Sequence, residues 1–290
     1  MRRMAAAVAA TALFVACSSG PTGPSIVPGP SSSVVVAAGD IARCDLRGAE
    51  FTARLLDGIP GTVLTLGDNA YPSGSLNHFA ECYQPTWGRH LDRTRPVPGN
   101  HDYETPGASG YYTYFGEAAG PRGLGYYVFG IGAWDLIALN SEINISAGST
   151  QLTWLRSYLT AARARCTLAY FHRPLFSSGP NGNNNDLRDA WRVLYEFNVD
   201  VVLSGHDHMY ERFLPQDPNG VGDLARGIRE FVVGTGGAEL TPPVRRQANS
   251  EITGTDWGVL KLTLGSEDYQ WEFVPVAGAG FRDLGTGRCH

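Results

Sequence analysis

From Val34 onward the chain alternates short, continuous apolar runs with longer stretches whose apolar residues recur at helical spacing. "VVVAAGD" (34–40) and "TVLTLGD" (62–68) are compact β-type runs that meet glycine, the pattern of strands buried on both faces. Between them, "RGAEFTARLLDG" (47–58) sets Phe51 and Leu55 one helical turn apart and stops at Gly58. "TRPVPGNHD" (94–102) predicts a third strand, shortened by its prolines. "YYVFGIGAWDLIALNS" (126–141) reads as a hairpin. "STQLTWLRSYLTAARAR" (149–165) reads as an amphipathic helix with Ser149 or Thr150 as N-cap and Leu152, Leu155 and Leu159 on one side. A strand at 167–172, a helix at 186–197 and a strand from Val199 into "GHDH" follow, and the last stretches (229–237, 258–264, 269–276) are β-rich. No repeat or second linker interrupts 34–290, which predicts one α/β domain of about 255 residues.

The strand ends share a chemistry. Four end in glycine followed at once by a metal-capable residue: Gly39-Asp40, Gly67-Asp68, Gly99-Asn100 and Gly205-His206; a fifth ends in His172. In α/β sheets ligands bind beyond the carboxyl ends of strands, where glycine lets the backbone turn. Residues two apart on an extended chain point to one side, so His206 and His208 should face a common target while Asp207 turns away. Asp40, Asp68, Tyr71, Asn100, His172, His206 and His208 make seven donors, with His101 as a possible acid. A lone zinc needs four ligands or fewer, so the set predicts two adjacent metals.

"GD", "GDNAY", "GNHD", His172 before Arg-Pro, and "GHDHMYER" stand in the order of the calcineurin-like metallophosphoesterase superfamily, and Asp68-x-x-Tyr71 resembles its purple acid phosphatase branch. The resemblance covers nearly all of 34–290. It implies a four-layer αββα sandwich of two mixed β-sheets flanked by helices. It also implies one metal on Asp40, Tyr71 and His208, a second on Asn100, His172 and His206, and Asp68 bridging both. The wider superfamily has Asp-x-His at the first motif; here Asp40-Ile41-Ala42 lacks the imidazole, and Tyr71 makes it good. A phenolate is a hard anionic donor that suits iron(III); iron(II), zinc or manganese would take the other position. The reaction implied is hydrolysis of phosphate monoesters by metal-activated hydroxide, with His101 protonating the leaving alkoxide. A phosphodiesterase with the same centre is the alternative, and a non-catalytic phosphate-binding lipoprotein a more distant one. Related enzymes carry a further histidine after the His172 strand to orient phosphate; "SSGPNGNNND" has none, and Asn181 is the residue offered in its place.

Composition narrows the setting. A net charge of −5 and a pI near 5.8 give no nucleic-acid footprint. Arg2 and Arg3 precede an apolar run from Met4 to Ala16, too short to span a bilayer and suited to a signal peptide. Phe-Val-Ala-Cys resembles a bacterial lipobox with Cys17 lipidated; an ordinary signal peptide is the alternative. Residues 18–33 are a Ser/Gly/Pro-rich tether. The organisation expected is thus signal peptide 1–16, lipidated Cys17 and tether to 33, and catalytic domain 34–290, exported, with membrane contact only through the lipid. Cys44, Cys82, Cys166 and Cys289 then suggest two disulfides among three possible pairings. Cys44–Cys82 is favoured because both follow strand ends expected to lie together, leaving Cys166–Cys289. His78, His90 and His290 match no motif and read as structural. "GYYTYFG" (110–116) is either a packed aromatic cluster or a stacking surface for a leaving group. Tyr210, Glu211 and Arg212 should brace the histidine turn, and "VGTGG" (233–237) should form a turn near the site mouth.

Overall fold

The computed structural model describes residues 33–290; the expected signal peptide, Cys17 and nearly all of the tether lie outside the described residues. Two mixed sheets form the centre. The first contains three parallel strands, β1 (Ser33–Ala38), β2 (Thr62–Leu66) and β3 (Thr94–Val97). The second contains the hairpin β4 (Tyr127–Ile131) and β5 (Trp134–Ala138), then β6 (Cys166–Tyr170), β7 (Val201–Ser204), β8 (Tyr210–Phe213), β9 (Arg229–Val233) and β10 (Ser250–Gly254). The chain then returns to the first sheet as β11 (Gly258–Leu264), β12 (Asp268–Pro275) and β13 (Leu284–Arg288). The strand orders are β13-β12-β11-β1-β2-β3 and β10-β8-β9-β7-β6-β5-β4.

Strand alternation builds two cores. Leu136, Leu168, Leu203 and Phe231 of the second sheet join Ala37, Leu64 and Leu260 of the first in one apolar cluster. Their neighbours Ile137, Ala169, Val202 and Val232 face the other way, onto Leu152, Leu155 and Leu159 of the helix Thr150–Ala161 and Ala190, Trp191 and Leu194 of the helix Arg188–Glu196. The helix Gly48–Gly58 buries Ala49, Ala53 and Leu56 to flank the first sheet. This is the expected four-layer α/β arrangement. Ser149 is the N-cap of its helix, its hydroxyl accepting from the Leu152 N–H at 3.2 Å. That helix stops at Ala161, short of 165, where Arg163 Nη1 donates to the Ala161 and Ala162 carbonyls at 2.7 Å.

Three strands were not anticipated: β8, β10 and β13, the last two at sheet edges. β3 ends at Val97, and Asn100–Tyr103 is a single helical turn, not strand. "SGYYTYF" is a helix whose Tyr111, Tyr112 and Phe115 are buried; Phe115 meets Phe79 and Tyr83 edge-on, which settles this segment as packing. Cys44 pairs with Cys82 and Cys166 with Cys289, as favoured from strand proximity. Two disulfides suit an oxidising compartment outside the cytosol.

Candidate metal centre

The parallel strands of both sheets end on one rim. Asp40 follows β1, Asp68 follows β2, Asn100 follows β3, His172 follows β6 and His206 follows β7. The backbone turns there in an unexpected way: Asp40, Asp68 and His206 are themselves left-handed, with φ of 59°, 49° and 72°. The glycines before them chiefly allow close approach. A Cβ on Gly205 would lie 2.6 Å from Asp40 Oδ2, and one on Gly99 would lie 2.2 Å from Asp68 Oδ1. The histidine pair therefore does not converge by strand alternation. β7 stops at Ser204, and 205–209 is a turn in which Asp207 is buried, bound to Ser177 Oγ and the Asn181 N–H.

All seven predicted donors gather, in two groups that share one oxygen. Tyr71 Oη lies 3.0 Å from Asp40 Oδ1, 3.1 Å from His208 Nε2 and 3.1 Å from Asp68 Oδ2. On the other side, His172 Nε2 lies 3.3 Å from that same Asp68 Oδ2, 3.1 Å from Asn100 Oδ1 and 3.2 Å from His206 Nδ1. The second oxygens of both aspartates accept from backbone: Asp40 Oδ2 from the His206 N–H and Asp68 Oδ1 from the His101 N–H, each at 2.8 Å.

The donor chemistry fits cations. His172 Nδ1 lies 2.8 Å from the Leu66 carbonyl and His208 Nδ1 2.7 Å from that of Glu239, so each donates outward and presents Nε2 inward. In the neutral rings both Nε2 lone pairs face carboxylate, phenol and amide oxygens, an arrangement that needs positive charge between them. Without metal that charge is protonic. Burial pulls His172 down, but the Asp68 carboxylate outweighs it and pushes the ring up to about 10. His208 is likewise pushed up to about 9, Asp40 overcoming burial. Burial, then the neighbouring His172 and Arg173, hold His206 neutral down to about 3. Burial and the Asp40 and Asp68 charges push the Tyr71 phenol far above its ordinary range, so only a strongly acidic cation would ionise it.

A sequence model of the calcineurin-like phosphoesterases matches residues 33–210, a span that contains every residue of both donor groups. The chain belongs to the calcineurin-like phosphoesterases. Among relatives in this family, purple acid phosphatase 21 of Arabidopsis thaliana is 29% identical over 207 residues, 61% of this chain and 44% of that one. Tartrate-resistant acid phosphatase type 5 of Mus musculus is 32% identical over 134 residues, 46% of this chain and 36% of that one. The chain thus spans less than half the length of these curated relatives. The fold matches the purple acid phosphatase PPD1 of yellow lupin (Lupinus luteus) with a TM-score of 0.71 at 21% identity, over 90% of this chain and 54% of that one.

As a calcineurin-like phosphoesterase, the chain keeps its other predicted groups in supporting places. His101 Nδ1 lies 2.6 Å from the Pro72 carbonyl and its ring packs against Tyr71 with centroids 4.5 Å apart, so Nε2 is the nitrogen not engaged by that bond. Asn181 does not reach into the centre with its amide nitrogen, which donates to the His206 carbonyl at 2.9 Å. His78, His90 and His290 bind Ser73, Asp57 and Asp200 respectively. Glu211 accepts from Ser178, whereas Tyr210 and Arg212 bind Asp283 and not the histidine turn they were expected to brace. Gly234 and Gly236 of the 233–237 turn pack against Asp40 and Gly39.

Two residues beside the centre escaped the sequence reading. Asp102, fully buried, accepts from the Gly99 N–H at 2.9 Å and Asn69 Nδ2 at 2.9 Å, fixing the loop that presents Asn100. The acid in "GNHD" was visible; its direction was not. Arg173 Nη1 lies 3.2 Å from His206 Nε2 and is held by Glu142, a partner 31 residues distant with no local signal.

Proposed function

We propose that the protein is an exported phosphatase that hydrolyses phosphate monoesters at a two-metal centre. The observation that carries this reading is Asp68 Oδ2, which lies 3.1 Å from Tyr71 Oη and 3.3 Å from His172 Nε2 and so belongs to both donor groups. Asp40, Tyr71 and His208 would hold one cation, Asn100, His172 and His206 the other, and Asp68 both. The pair supplies, when bound, positive charge for phosphoryl oxygens and an acidified water. The chain's residues do the rest. Tyr71 and Asp40 concentrate anionic donors at the first position, which favours iron(III) there; the neutral amide and imidazoles of the second favour a divalent ion, iron(II), zinc or manganese. Asp40 and Asp68 each spend one oxygen on backbone N–H groups, which locks the other toward the centre. His101, with Nδ1 committed to Pro72, delivers a proton from Nε2 to the departing alkoxide. Upstream, lipidated Cys17 would tether this catalytic domain to a membrane.

The test compares p-nitrophenyl phosphate with bis-p-nitrophenyl phosphate on metal-loaded protein. Faster turnover of the monoester is expected. Faster diester cleavage makes the protein a phosphodiesterase, and hydrolysis of neither with iron and zinc supplied overturns the enzymatic reading.

A further inference from the structure

Arg173 directly follows His172, and one edge of its guanidinium is already committed. Nε lies 3.0 Å from both Glu142 oxygens and Nη2 lies 2.9 Å from Oε2. Glu142 is itself fixed: Ser141 Oγ donates to it at 2.9 Å while accepting the Arg173 N–H at 3.1 Å. The remaining nitrogen, Nη1, approaches His206 Nε2 at 3.2 Å. That contact is a hydrogen bond only while Nε2 is an acceptor, which puts the ring's proton on Nδ1. A neutral imidazole that gives its Nδ1 lone pair to a cation keeps its proton on Nε2, and Nη1 then faces another N–H. Gripped by Glu142, the guanidinium is left with an unmatched donor beside the centre. It is not sealed off: the Arg173 side chain is 28% exposed.

We propose that Arg173 Nη1 binds a non-bridging oxygen of the substrate's phosphate and orients it for attack. This rests on the phosphoesterase reading above. It assigns the orienting role to a cation on the His172 side of the pocket, since Asn181 spends its amide nitrogen on the His206 carbonyl. A guanidinium suits the place because its planar fork can hold a carboxylate on one edge and a phosphate oxygen on the other; an ammonium cannot.

The experiment is calorimetric titration of metal-loaded protein with inorganic phosphate, alongside metal analysis and kinetics on p-nitrophenyl phosphate. Arg173→Met should retain the wild-type metal content, bind phosphate about 10- to 100-fold more weakly, and raise KM more than it lowers kcat. Arg173→Gln, which keeps a donor for Glu142 without the charge, is measured beside it so that a folding defect in one variant does not decide; the same weakening is expected. Wild-type phosphate affinity in either folded, metal-replete variant overturns the assignment and leaves the phosphatase reading standing. Loss of metal from both variants also overturns it, because Arg173 would then support His206 and not substrate. A wild-type protein that holds metal but neither binds phosphate nor hydrolyses esters overturns the functional reading and this proposal together.

Discussion

The two donor groups differ more than their shared aspartate suggests. The Tyr71 side gathers a carboxylate, a phenol and an imidazole, all braced from the first sheet and the 206–208 turn. The Asn100 side offers an amide and two imidazoles, His206 neutral from the start and His172 neutral once metal replaces its proton. One fold thus presents a hard, anion-rich seat and a softer neutral seat on either side of a single oxygen. Under the proposed two-metal reading, such asymmetry would let one position hold a strongly acidic cation while the other exchanges a divalent one.

The most drastic way to break this comparison is to remove what the two sides share. Asp68→Ala should lose metal from both and lower kcat/KM by about 10⁴-fold or more, measured by metal analysis and steady-state kinetics. Retention of full metal content would show that Asp68 does not bridge. His101→Ala removes no donor from either side, so metal content should stay at the wild-type level while kcat falls by about 10²- to 10⁴-fold; a metal-free variant would remove His101 from the acid role. Tyr71→Phe should separate the sides. The visible absorption expected of a tyrosinate–iron(III) pair disappears while the Asn100 side keeps its ion, and a spectrum unchanged by this substitution would rule out the phenolate.

The finest distinction is in protons. At pH 7, metal-free His172 (about 10) and His208 (about 9) are both charged and Tyr71 is neutral. Loading should therefore expel one proton from the Asn100 side, from His172, and two from the Tyr71 side, from His208 and Tyr71. Calorimetry in buffers of different ionisation enthalpy counts them, and wild type should release one more than Tyr71→Phe loaded at both positions, or two more if the variant loads only the Asn100 side. Because those protons compete, metal affinity weakens as pH falls through this range; equal affinity at pH 6 and pH 8 would contradict the scheme.

Much of the centre was legible because five of the seven donors sit just past a strand, four of them where an apolar run, a glycine and a polar residue occur in sequence order. Asp40, Asp68, Asn100 and His206 were found by that pattern and His172 by its place at the end of an apolar run without a glycine, and the first two sheet strands had the boundaries their runs predict to within two residues. Local conformation was less legible. The strand from Val199 was expected to run into "GHDH", yet close packing of Gly205 on Asp40 and burial of Asp207 force a turn that no residue spacing encodes. β13 reads "LGTGR", with neither β-branched density nor apolar alternation, and is recruited by pairing to β12. Arg173 and Glu142 were invisible for a further reason: their partnership joins loops after β5 and β6 and exists only once those strands lie side by side.

Asp40, Asp68 and His206 each sit where a residue with a side chain is conformationally disfavoured, at a penalty of order 1 kcal/mol apiece. Glycine at any of them would ease the backbone while abolishing a donor. Two carboxylates and an imidazole thus sit at three backbone positions that glycine would occupy at lower cost.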